Sequence, residues 1–349
     1  MSIVVTGGAG FIGRHLVARL CASRAAFSGT NEPVVVVDNL RRGSREALAD
    51  LIAAGLVTLI EGDIRDTAIL ADAMRDAEYV FHLASQSNVM GAEADPDYAF
   101  TSNVVGTYNV AQAALAAGAR RLVFTSSREV YGQPASLPVP ESAALAPKNA
   151  YGASKVAGEM TCRVAAARGG LEVVTLRLAN VYGPGDSGRV IPLWVDAAAQ
   201  GQDMTIYGGA QVIDFIWVED VVSALVRAAL APRAIYSAAG LVREPGEAGF
   251  FVTLNVGTGQ GTPIHTLAER VREAVGTDVG MRIVPARSAE VEQFVADTTL
   301  LRVTLGLRPD PPLAYLPILA REALQRAPVA ASAASERRGH LTLLSKESV

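Results

Sequence analysis

The 349-residue sequence is poor in cysteine, in histidine and in net charge. Its two cysteines, Cys21 and Cys162, both sit in segments of helical period. That excludes a disulfide framework or a thiolate metal site and leaves two reduced, half-buried thiols. No metal is expected. With 31 basic against 35 acidic residues, the net charge of −4 gives no basic field for a nucleic-acid backbone, so no such partner is expected. No apolar run is long enough to cross a bilayer, and no membrane partner is expected either. The opening MSIVVTGGAG has none of the basic start, apolar stretch and small-residue cleavage site of a secretory signal, so the cytoplasm is the expected location. What is abundant is hydrophobic residues, 50% of the chain, which removes it from the disordered class. A small-molecule partner is the remaining expectation.

Over the first 180 residues short β-rich runs alternate with alanine-rich segments of helical period. The runs Ile3 to Thr6, Val34 to Val37, Val57 to Glu61, Tyr79 to Leu83, Arg121 to Ser126 and Val173 to Leu178 are nearly continuous in apolar residues, as strands buried on both faces are. Helices over Phe11 to Arg24, Val104 to Ala117 and Tyr151 to Ala167 fit between them. The fold class is therefore α/β, a doubly wound parallel (Rossmann) sheet, with ligands expected beyond the carboxyl ends of the strands. From residue 181 to 327 glycine and proline become denser, and a smaller mixed C-terminal lobe that binds substrate is expected, with some later segments returning to the first domain. Residues 233 to 249 read as a surface loop before a strand at Val252 to Val256, and residues 328 to 349 as a mobile tail.

Between the first strand and the first helix stands Thr6-Gly7-Gly8-Ala9-Gly10-Phe11-Ile12-Gly13, with the spacing Gly8-x-Gly10-x-x-Gly13. Glycines there let the backbone turn tightly and approach a pyrophosphate, while the helix N-terminus offers free N–H groups. The second strand ends in Asp38, a carboxylate suited to the adenosine ribose hydroxyls and repellent to a 2′-phosphate, which favours NAD over NADP; Arg41 and Arg42 pull the other way. After the third strand, Asp63 either reaches the adenine amino group or serves as a turn residue. Tyr151 and Lys155, four apart at the start of a helix, share one face, and the lysine favours the phenolate a general base needs.

These motifs, with HLAS at 82–85, NVVGT at 103–107, TSSREVYG at 125–132, LRLANVYGP at 176–184 and NVGTG at 255–259, resemble the extended short-chain dehydrogenase/reductase family, the NAD-dependent epimerases and dehydratases of sugar nucleotides, over roughly residues 1 to 325. The resemblance implies that NAD is held by Gly7, Gly10, Phe11, Ile12, Gly13, Asp38, Asn39, Gly43, Asp63, Ile64, Leu83, Ala84, Ser85, Asn103 and Thr125, together with Tyr151 and Lys155. It implies Ser127, Tyr151, Lys155 and Glu129 as the catalytic set. A UDP-sugar would meet Ser87, Arg128, Asn180, Arg189, Val190, Tyr207 and Arg287, and the enzyme would be a homodimer. Asn103 can equally be a helix cap and Arg287 a solvated surface charge. One position departs from the family: Ile213 stands where an arginine is common before Asp-Phe, so a phosphate contact is missing or comes from elsewhere, with Arg189 the candidate.

The resemblance implies a first step in which Tyr151 takes the C4 hydroxyl proton while hydride passes to NAD. The 4-keto sugar can then be reduced on its other face, lose water across C5 and C6, or lose CO2 if it is a uronate. Ser127-Arg128-Glu129 bears on the choice. Glu129 fits an eliminating or decarboxylating enzyme, whereas Arg128 is a poor acid but a good partner for a C6 carboxylate, unless the two simply pair with each other. The expected function is a UDP-sugar 4-epimerase acting on a UDP-hexose or UDP-glucuronate. The alternative is a UDP-glucuronate decarboxylase or an NDP-sugar 4,6-dehydratase using Glu129. A non-catalytic NAD sensor is disfavoured by the intact Ser127, Tyr151 and Lys155. A dehydrogenase would announce itself by releasing NADH.

Overall fold

The computed structural model describes residues 2–27, 32–242 and 249–327; the tail expected from 328 onward lies outside them. The six apolar runs form β1 (Ser2–Thr6), β2 (Val34–Asp38), β3 (Val57–Glu61), β4 (Ala77–His82), β5 (Arg121–Ser127) and β6 (Glu172–Leu178). After β7 (Asn180–Tyr182), β8 (Met204–Tyr207) and β9 (Val212–Trp217), a seventh strand of the main sheet follows as β10 (Phe250–Val256). The sheet is all parallel, in the order β10-β6-β5-β4-β1-β2-β3. The chain runs from β1 outward to β3, then returns to the other side of β1 as β4, so the switch point lies between β1 and β4. That is where an open α/β sheet leaves a crevice for a ligand.

Helices cover both faces. On one lie α3 (Thr67–Ala73), α6 (Thr107–Ala116) and α7 (Ala150–Arg168), whose Leu70, Val110 and Cys162 bury against Val4, Val80, Leu122, Phe124 and Val173 of the strands. The short helices α2 (Ala49–Ala53), α4 (Val89–Ala94) and α5 (Pro96–Phe100) precede α6. Elsewhere α1 (Phe11–Ala22) packs against α9 (Val218–Leu230). The helix read as starting at Val104 is preceded by a π turn over Thr101–Gly106. The segment read as a loop from Arg233 begins as α10 (Arg233–Ala238), because Tyr236 is fully buried and its hydroxyl donates to Ala228 O at 3.1 Å. Of that segment, residues 243–248 lie outside the described ones. The remaining strands β11 (Gly261–Pro263) and β13 (Gln293–Phe294) join β7 and β9 in a small sheet, and α12 (Thr299–Leu305) follows.

The described residues divide into two compact units, the first made of residues 2–27, 32–182, 211–242, 249–262 and 288–312, the second of 183–210, 263–287 and 313–327. Within the second, β8 pairs in parallel with β12 (Met281–Val284), and α8 (Val190–Ala199), α11 (Ile264–Val275) and α13 (Leu316–Arg326) pack on one another. On α11 the buried Ile264, Leu267, Ala268, Val271 and Val275 fall at helical spacing and give it one apolar face.

Candidate active site

The turn after β1 is built by backbone contacts. Gly7 has φ +76° and donates its N–H to Val37 O at 2.8 Å; a Cβ there would lie 2.6 Å from Ala84 N, in the loop after β4. Protein packing thus explains Gly7, and likewise Gly13, whose Cβ would strike the Gly7 carbonyl. It does not explain Gly10, where a Cβ would meet only Gly7 O, at 3.3 Å. The open space beside Gly10 adjoins the N-terminus of α1, which has no side-chain cap and no acidic residue in its first turn. Bare N–H groups, helix dipole and clearance together suit a pyrophosphate. Phe11 and Ile12 open the helix, and Gly43 lies so close to Ala9 that a Cβ would come within 2.7 Å of its carbonyl carbon.

Asp38 closes β2. Its Oδ2 accepts from Ala9 N and its Oδ1 from Leu40 N, each at 2.9 Å, so one carboxylate ties the glycine turn to the strand end. Burial pushes its pKa up, opposed by those two N–H bonds. Leu40 carries φ +55°, a strained conformation for a branched residue, of the kind that collects at ligand sites. Arg41 pairs with Asp95 at 3.3 Å and lies 3.7 Å over the Tyr98 ring, so its charge is already answered within the protein. Asp63 is similarly engaged. Its oxygens accept from Arg65 N, Nε and Nη2 and from Asn39 Nδ2, all at 2.9 Å, and the Arg65 guanidinium holds its pKa down at about 2. All four acceptor positions are filled, and an adenine amino group would have to displace Asn39 or Arg65. Ile64, next in sequence, is buried against Gly106.

The loop Leu83 to Ser87 leaves β4 at the switch point, with Leu83 N donating to Thr6 O at 3.0 Å. Asn103, in the π turn, clamps it. Its Oδ1 accepts from Gln86 N at 2.7 Å, and its Nδ2 donates to Gln86 O at 3.1 Å and to Ser154 Oγ at 2.9 Å. Both Nδ2 hydrogens are used by the protein, and the side chain fixes the loop to α7.

At the end of β5, Ser127 Oγ accepts from Glu129 N at 3.2 Å and caps a 3₁₀ turn over Arg128–Tyr131. Asn149 caps α7, its Oδ1 accepting from Gly152 N at 2.8 Å, and Tyr151 follows, packed against Ala92 and Ala99. The absence of a side chain at Gly152 lets the two segments meet, since a Cβ would lie 2.5 Å from Glu129 O. One turn on, Lys155 Nζ donates to Thr125 O at 2.9 Å and sits 5.9 Å from the Tyr151 ring centre. Burial pushes the Lys155 pKa down to about 8, against the opposing influence of Cys162 and Glu159. Strand end, 3₁₀ turn and helix start therefore bring Thr125, Ser127, Glu129, Tyr151 and Lys155 together. Glu129 does not stand free: Oε1 pairs with Arg128 Nη2 at 3.0 Å and Oε2 accepts from Asn149 Nδ2 at 2.8 Å. Arg128 is 8% exposed, and its Nη1 is buried with no hydrogen-bond partner.

Asn180 opens β7, and its Oδ1 is buried without a hydrogen-bond partner. Ile213 is buried in β9 beside Phe294 of β13. In the second unit Arg189 precedes α8, which begins at Val190, and its Nη1 bonds Asp186 at 2.9 Å. Arg287 stacks on Tyr207 with 3.6 Å between guanidinium carbon and ring centre.

The family model of the NAD-dependent epimerases and dehydratases matches residues 3–239. The chain belongs to that family. A UDP-glucose 4-epimerase of Mycolicibacterium smegmatis is 35% identical over 324 residues, 90% of this chain and 95% of its own length. MoeE5, solved with UDP-glucuronic acid and NAD, superposes with TM-score 0.78 at 30% identity, over 93% of this chain and 99% of its own. A double mutant of DesIV, a dTDP-glucose 4,6-dehydratase from Streptomyces venezuelae solved with NAD bound, gives TM-score 0.80 at 30% identity, over 93% of this chain and 96% of its own. NAD is the family's cofactor, and the cradle beside Gly10 fits it.

Ser126, Asn149, Glu159 and Arg177, which stand out in no motif of the sequence, are also buried against the site's elements. Asn149 was legible as the residue before a helix start. Glu159 was legible only as the next step of the four-residue spacing from Tyr151 and Lys155.

Proposed function

We propose that the protein inverts C4 of a UDP-sugar through a 4-keto intermediate, with UDP-glucuronate as the leading substrate and a UDP-hexose as the other, working as a homodimer in the cytoplasm. The observation that carries this reading is the state of the Arg128–Glu129 pair. A base that removes the C5 proton must be able to swing onto it, and Glu129 is tied down by one bond on each oxygen, to Arg128 and to Asn149. Arg128 keeps a buried N–H group with no partner, a costly arrangement that a carboxylate on C6 would relieve with a charge-assisted bond.

When bound, the nicotinamide would supply the acceptor and the donor of the hydride at C4. The protein's part is proton movement and positioning. Tyr151 Oη takes the C4 hydroxyl proton and later gives it back; Ser127 Oγ donates to the same sugar oxygen; the Lys155 ammonium, held at Thr125 O, favours the phenolate. Asn180 meets the diphosphate.

The test is incubation with UDP-glucuronate and with UDP-glucose in D2O, followed by NMR. The C4 epimer free of deuterium at C5 is expected, and Arg128→Met should raise KM for the uronate about 10- to 100-fold while sparing the hexose. Deuterium at C5, or CO2 release that vanishes in Glu129→Gln, would overturn epimerisation in favour of elimination or decarboxylation. Equal KM changes for both sugars would remove the assigned role of Arg128.

A further inference from the structure

Beneath the catalytic elements lies a buried charged cluster that neither substrate nor cofactor explains. Glu159 is fully buried one turn beyond Lys155 and two beyond Tyr151 on α7. Its Oε1 accepts from Ser126 Oγ at 2.5 Å and from Arg177 Nε at 3.0 Å, and its Oε2 accepts from Arg177 Nη2 at 2.7 Å. Arg177 also donates from Nη1 to Tyr131 Oη at 2.8 Å, and Tyr131 Oη donates to Asn255 Oδ1 at 2.7 Å. Ser126, Arg177 and Asn255 are neighbours across β5, β6 and β10.

A buried ion pair of this kind is a poor source of stability, because packed apolar residues of similar size do as well or better. Its placement is more telling. The segment 126–131, which carries Ser127, Arg128 and Glu129, is gripped at its first residue by Glu159 and at its last by Arg177. Glu159 in turn rides on the helix that carries Tyr151 and Lys155. Successive side chains of a strand point to opposite faces, so anchoring Ser126 fixes the direction of Ser127. We propose that Glu159, Arg177 and Ser126 form a positioning cluster that sets Ser127 and the Arg128–Tyr131 turn in register with Tyr151 and Lys155. The inference rests on the catalytic roles given above to Ser127 and Tyr151.

Glu159→Gln leaves the buried Arg177 without its counter-charge and endangers the fold. Ser126→Ala keeps the ion pair whole and removes only the link to β5, so it is the variant to measure, alone and together with Ser127→Ala, by single-turnover rate, sugar KM and NAD content. The expected result for Ser126→Ala is a fall in rate of about 10- to 100-fold with KM and NAD content unchanged. In the Ser127→Ala background the same substitution should change the rate by less than about twofold, since the residue through which it acts is gone. Equal losses in both backgrounds would mark general structural damage and overturn the proposal. So would a normal rate in Ser126→Ala when Ser127→Ala is crippled, leaving the catalytic assignment standing. A normal rate in Ser127→Ala would instead remove the catalytic assignment and this inference with it.

Discussion

Lys155 carries its ammonium where no water reaches it, and the surroundings replace only part of the lost hydration: the Thr125 carbonyl, the face of Phe124 at 5.0 Å, and the carboxylate of Glu159 on the same helix face. Burial wins, and the group titrates near 8 instead of near 10.5. Below pH 8 folded and unfolded chains both bind the proton, so the cost of burying the charge is fully present. Between 8 and 10.5 the unfolded chain holds a proton that the folded chain has released, and this group then makes folding more favourable as pH rises. Turnover depends on the charge that Tyr151 needs, so it should fall above a pH of about 8 while Lys155 contributes no loss of stability there. Rate and thermal melting followed on the same samples from pH 7 to 10 check this. A rate that stays level to pH 9.5, or one that falls only in step with unfolding, would be the wrong outcome. The tyrosine–lysine spacing is visible in the sequence. The cluster below it is not, because Glu159 and Arg177 look like any charged residues on a helix and a strand, and only the packed sheet shows that both are buried.

At the scale of elements, the strands were legible wherever an apolar run was continuous, and the glycine turn was legible because its residues have no other local use. The π turn at Thr101–Gly106 was not, since TSNVVG has the period of an ordinary helix and its irregular hydrogen bonds answer to Asn103 and the Gln86 loop. Helix α10 is not visible in the sequence because turn-forming residues follow it, while the residue that decides it, Tyr236, gains its value from burial. Arg121 illustrates the same limit. It opens a strand, yet it is fully buried and its Nη1 donates to Ala228 O, Ala229 O and Ala231 O at 2.7–2.9 Å, satisfying carbonyls that the end of α9 leaves open, while Glu172 answers its charge at 2.5 Å. One side chain thus joins β5, β6 and α9. Arg121→Met removes those donors and leaves Glu172 only its longer pairing with Arg120 at 3.8 Å, and should cost about 3–5 kcal/mol in urea unfolding with NAD binding intact in the folded fraction. A loss under about 1 kcal/mol would show that the carbonyls find other partners and that Arg121 is incidental to the sheet.

At the scale of the whole molecule, the sequence reads as a parallel sheet and a later mixed region with some segments returning to the first domain, while nothing local marks which they are, 211–262 and 288–312. Their assignment comes from long-range pairing, such as β10 beside β6, which no window of sequence contains. A surface feature of the first unit bears on the proposed homodimer. Phe100, Val105 and Tyr108, from the end of α5 through the π turn into α6, are 58%, 40% and 49% exposed, and Met160 and Val164, one turn apart on α7, are 39% and 52% exposed. Helices α6 and α7 pack together. Apolar side chains left in water on adjoining helices are what an isologous dimer would cover. The dimer should therefore form through these helices, and replacing Phe100 and Val164 together by lysine should place like charges in its centre. Sedimentation equilibrium at micromolar protein should give twice the chain mass for the wild type and the single-chain mass for the Phe100→Lys, Val164→Lys variant, with melting cooperative in both. A wild type that sediments as a single chain would dismiss the dimer. A double variant that remains dimeric would move the interface to another face of the molecule.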